Sequence, residues 1–183
     1  MGEYYLIAQL PSLDALGEDA PLPISEERFL TLCGQLLKKK ALSNVENASL
    51  LPSPDSEKAA APLVASWNEK ERALRVCLAA ARAKKRGKAW DGEEASFSSE
   101  LTGVVNAAVA EENPLRGEKL LLNYRLRVLE ELRPSDAFSE EYLYYYWLKL
   151  QLLGRIRRFD LEGGRDAYRT IYDSIWNGAA SEA

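Results

Sequence analysis

The sequence predicts an all-α fold, an antiparallel bundle of about six helices joined by short loops. Three observations carry this. Apolar residues recur at helical spacing in several stretches, residues that start helices stand just ahead of them, and no stretch alternates as a half-buried strand would. The 183 residues suit one domain, read as 1–183, with a turn-rich stretch at 87–98 as the candidate internal boundary.

The opening run Tyr4–Leu10 is too short to assign as a helical turn or an extended segment. Its large apolar residues Tyr4 to Ile7 imply burial in either form. Pro11, Pro21 and Pro23 then forbid a long helix. Ser25 caps the first clear helix, with Glu26 and Glu27 at the positive end of its dipole. Phe29, Leu32, Cys33, Leu36 and Leu37 form one face, and Lys38–Lys40 finish it. Ser43 with Glu46, and Ser66 with Glu69, read as capping boxes for two further helices. The second runs to about Arg86 and buries Trp67, Leu74, Cys77, Leu78 and Ala81.

Beyond 87–98, "SSELTGVVNAAVAEE" supplies another helix, and Asn113-Pro114 starts the next. Gly117 is placed to delay that start by a few residues, and Pro134 ends the helix. Ser139 caps "EEYLYYYWLKLQLLGRIRRFD". On a helical wheel Tyr144, Gln151, Arg155 and Arg158 gather on a narrow water side, and nearly everything else is apolar, Phe159 included. So wide an apolar arc puts the helix in the middle of a bundle or under another protein. Lys149 and Arg157 fall inside the arc, and Arg125 falls inside the stripe of the preceding helix. They are expected to pair with carboxylates such as Glu130 or Glu131, or to snorkel, with a partner interface as the alternative. A last helix carries Tyr168, Ile171, Tyr172, Ile175 and Trp176.

The chain contains no histidine, which removes Ser-His and Cys-His catalysis and histidine metal sites. The doublets Glu93-Glu94, Glu111-Glu112, Glu130-Glu131 and Glu140-Glu141 make poor carboxylate pairs, because neighbours on a helix point apart. No glycine-rich phosphate loop is present. The expectation is a chain without catalytic, cofactor or metal residues, and not an enzyme. Cys33 and Cys77 read as small buried hydrophobes in a reducing compartment. A net charge of −4 argues against general nucleic-acid affinity, although Arg82–Lys88 and Arg155–Arg158 would serve an RNA-binding module. Uncharged runs such as "YYLIAQLPSL" and "LTGVVNAAVA" do not exceed ten residues, far short of the roughly 20 of a membrane span. "MGEYY" lacks the positive start of a signal peptide, so a cytoplasmic location is expected.

Two segments resemble a bacterial family encoded among V-type (A/V-type) ATPase subunits. They are "EYYLIAQLPSL" with "LPISEERFLTLC", and "YLYYYWLKLQLLGRIRRFDLEGGRDAY". The stretch 44–113 carries no such likeness. The resemblance implies an accessory or stalk-type component that contacts V-type ATPase subunits. It would be peripheral to the inner face of the cell membrane only through those partners. Tyr144, Tyr145, Trp147, Arg155 and Arg158 would then anchor a partner, since Tyr, Trp and Arg dominate interface energetics. The other reading is a freestanding helical adaptor or assembly factor.

Overall fold

A computed structural model describes residues 2–14, 16, 20–52, 61–92, 96–158 and 168–173. It is all-helical, with eight helical segments and no strand among the described residues, where the sequence suggests about six helices. These are α1 (Gly2–Gln9), α2 (Glu26–Leu36), α3 (Lys39–Asn47), α4 (Pro62–Lys85), α5 (Ser99–Ala110), α6 (Pro114–Glu131), α7 (Glu140–Arg157) and a short segment at 168–173.

Local chemistry sets most of the ends. The Ser25 and Ser139 side chains accept from the backbone N–H of Arg28 and Tyr142, so both act as N-caps. Asn113 accepts from Leu115 N–H, with Pro114 in the first turn. Gly117 does not delay α6. A Cβ there would come within 2.9 Å of the Ala108 carbonyl oxygen, so the glycine lets α5 and α6 approach closely. At the end of α4, Gly87 takes φ +66° and Lys88 N–H bonds the Ala83 carbonyl at 3.0 Å, closing a Schellman-type cap.

Both capping-box assignments fail. α3 begins at Lys39, so Ser43 lies inside it, and Lys39 and Lys40 open this helix instead of finishing α2. α4 begins at Pro62, leaving Ser66 in its second turn. In each case a serine and a glutamate at cap spacing occupy a helix already under way. The proline, which suits the first helical position, marks the true start. The opening run is helical and only half-buried. Leu6 and Ile7 point inward, while Tyr4 and Tyr5 are 60% and 62% exposed.

α7 is the centre of the molecule, with α2, α3, α4 and α6 packed around it. Residues Leu143 to Leu150 and Leu152 to Gly154 are buried. α6 and α7 run antiparallel, since Glu118 pairs with Arg155 at one end and Glu130 with Tyr145 at the other. α4 and α5 instead run side by side in one direction. Cys77 meets Thr102 and, further along both helices, Lys85 meets Val109. Cys33 and Cys77 are free and buried, and burial pushes the Cys33 thiol up to about 12. No helix among the described residues is long and apolar enough to cross a membrane. Tyr168, Ile171 and Tyr172 are exposed, while Phe159, Ile175 and Trp176 lie outside the described residues.

Candidate functional site

The aromatic run of α7 is core. Tyr144 and Tyr145 are each 2% exposed and Trp147 is 7% exposed. This corrects the placement of Tyr144 on the water side and removes these three rings as ready partner anchors. Tyr144 is covered by α3 and the start of α4, and its hydroxyl donates to Glu140. Its neighbours on the wheel are polar, but a second helix lies over that side. Phe29 on α2 stacks on Trp147 with ring centroids 5.3 Å apart and planes 10° from parallel, and on Tyr146 at 5.4 Å. Tyr146 donates to the Pro11 carbonyl at 2.9 Å.

The cations inside the apolar arcs are paired. Lys149 Nζ lies 2.6 Å from Asp14 Oδ1 and 2.6 Å from Glu130 Oε1, and it donates to the Tyr145 hydroxyl at 3.1 Å. Burial pulls the ammonium pKa down, but these three oxygens more than offset it and hold the group above the ordinary lysine value. The Lys149 hydrogen bond in turn holds the Asp14 carboxyl below its usual range. Burial pushes the Tyr145 phenol up to about 12, so it stays a neutral hydroxyl. Arg157 donates from Nε to the Ala20 carbonyl and from Nη1 to the Leu153 carbonyl at 3.1 Å. On the far side of the bundle Arg125 makes a two-pronged pair with Glu71 on α4, at 2.9 and 3.0 Å. Glu71 is 2% exposed and also accepts from Arg75 at 2.8 Å.

Arg155 and Arg158 are at the surface as expected. Arg155 meets Glu118 at 3.0 Å and Arg158 meets Glu26 at 3.6 Å. The structure therefore does not bring the five expected anchors onto one face. A different set of rings is exposed together. Tyr4 on α1 stacks on Phe138, just before α7, with centroids 4.5 Å apart, and Phe138 is 46% exposed. Tyr5, the next residue on α1, is also exposed. The signal was present in "EYYLIAQ": adjacent residues on a helix face different ways, so four apolar residues in a row cannot all point to one core.

No cluster of three or more acidic or cysteine side chains suited to a metal ion occurs among the described residues. A cavity of about 390 Å³ beside Tyr144 is lined by Glu3, Glu140 and Glu141 and by Lys38 and Lys40, a mixture that favours no one ligand charge. No family model, curated protein or solved structure matches the chain.

Proposed function

We propose that this chain is a non-catalytic docking component, an accessory or stalk-type element of a bacterial V-type ATPase, working through protein contacts. The observation that carries the docking reading is the exposed Tyr4–Phe138 stack, with Tyr5 exposed at the next position of α1. Large rings held together in water are the residue type that anchors interfaces. The interior supports the same reading. Lys149 and Glu71, the buried ions, are saturated by partners and serve to lock helices together. The setting comes from the resemblance of the two ends of the chain, and Tyr4 and Tyr5 stand within one of the segments that carry it.

The test is capture of V-type ATPase subunits by the tagged protein from the cells that make it, under mild detergent. The wild-type chain should enrich them, and the Tyr4→Ala/Tyr5→Ala/Phe138→Ala variant should lose them while melting near the wild-type temperature. A wild-type capture without ATPase subunits rejects the setting. Equal capture by the variant rejects the surface.

A further inference from the structure

The end of α6 away from Phe138 holds a second feature. A cavity of about 550 Å³ opens between the C-terminal end of α4 and the α5–α6 turn. Its floor is aliphatic, made by Leu78, Ala108, Val109 and Leu121, and its rim on the α4 side carries Arg82, Lys85 and Arg86. Two carboxylates also border it, but both are engaged. Glu111 accepts from Asn113 N–H at 3.2 Å, and Glu118 pairs with Arg155. Lys85 donates to the Val109 carbonyl. Arg82 and Arg86, one turn apart and exposed, have no carboxylate partner among the described residues. The helix dipole accounts for cations at this end of α4. It does not account for an aliphatic hollow directly beneath them.

We infer that this cavity docks a short acidic-aliphatic peptide segment of a partner protein. An apolar side chain would sit on the Leu78–Leu121 floor, with carboxylates against Arg82 and Arg86. Charge complementarity selects an acidic occupant, and the floor selects against nucleic acid. Single strands are held by stacking bases on aromatic rings, and no ring lines this cavity. The inference does not rest on the Tyr4–Phe138 surface, which lies beyond the other end of α6, roughly 27 Å of helix away. Two docking sites so separated would let one chain bridge two partners or two parts of one.

Fluorescence anisotropy with the full chain tests this. The probes are a short labelled peptide alternating leucine and glutamate, its leucine–glutamine counterpart, an all-glutamate peptide, and a single-stranded RNA of matching length. The leucine–glutamate peptide should bind best. Its affinity should fall about tenfold or more in the Arg82→Glu/Arg86→Glu variant, and should weaken with added salt. Both side chains are exposed, so the variant should keep its fold and melt only slightly lower, through glutamates at the negative end of the α4 dipole. If it melts much lower, Arg82→Gln/Arg86→Gln takes its place, with several-fold weaker binding expected. No binding of the leucine–glutamate peptide, or equal binding by the variant, overturns the inference. So does an all-glutamate peptide that binds as well, which would mark a bare charge patch, or RNA that binds more tightly. Because these variants leave Tyr4, Tyr5 and Phe138 intact, failure here is distinguishable from failure of the ATPase reading.

Discussion

The buried face of α7 and the exposed face of α1 are built from the same residue type and meet opposite fates. On α7, Tyr144, Tyr145 and Tyr146 are swallowed, and each hydroxyl finds a partner in Glu140, Glu130 or Pro11. On α1, Tyr4 and Tyr5 stay in water, one of them resting on Phe138. The conspicuous run is structural, and the inconspicuous pair is left over. Composition marks both; only the covering helices separate them. The same contrast divides the cations, since Arg125 and Lys149 inside are paired while Arg82 and Arg86 outside have no carboxylate partner among the described residues.

The hardest blow to the interior side of this contrast is Glu71→Ala. It strands the partly buried Arg125 guanidinium, and the expected loss is about 3–5 kcal/mol in a urea melt. A loss under about 1 kcal/mol would mean that Glu118, 3.9 Å from Arg125, takes over. Trp147→Ala should follow at about 3 kcal/mol, through loss of the packing on Phe29. The Trp147 indole N–H has no hydrogen-bond partner among the described residues, so Trp147→Phe should cost clearly less, under about 1.5 kcal/mol. A tryptophan whose removal leaves the melt unchanged would belong to a surface after all.

Lys149→Met should cost less again, about 1–2 kcal/mol near neutral pH, because the Asp14 and Glu130 side chains it abandons are nearly half exposed and can rehydrate. Its pH dependence sharpens the point. Asp14 has a depressed folded pKa, so its contribution is present above the ordinary aspartate value of about 3.9 and is lost as pH falls through the folded pKa. Lys149 has a raised folded pKa, so its contribution is full below about 10.4 and fades only as pH climbs through the higher folded value. The gap between wild type and variant should be flat between those limits and close in acid. A gap that widens in acid would contradict the pairing. The smallest effect is expected for Tyr4→Ala and Phe138→Ala, within about 0.5 kcal/mol each, as for other surface changes.

What the sequence made legible was local or periodic. Ser25, Asn113 and Ser139 cap helices because a cap needs only its own turn. The wide apolar arc of α7 correctly required cover on several sides. Ser43 and Ser66 misled because cap spacing also occurs inside helices, and nothing nearby separates the two situations. Tyr144 misled because a wheel shows a residue's neighbours on its own helix and not α3 lying across it. The Lys149 partner Asp14 sits in the proline-spaced loop before α2, and the Arg125 partner Glu71 sits on α4. Both pairs join residues far apart in the chain, so periodicity has no access to them. The Tyr4–Phe138 stack joins α1 to the connection between α6 and α7 in the same way.

Hydroxyl-radical footprinting read by mass spectrometry puts the contrast between the two faces to trial most directly. In the isolated protein Tyr4, Tyr5 and Phe138 should oxidise quickly while Tyr144, Tyr145, Tyr146 and Trp147 stay protected, and in the partner-bound protein the first three should become protected as well. Oxidation of the α7 rings as fast as Tyr4 and Tyr5 in the isolated chain, or a bound state that leaves Tyr4, Tyr5 and Phe138 as reactive as before, would contradict it.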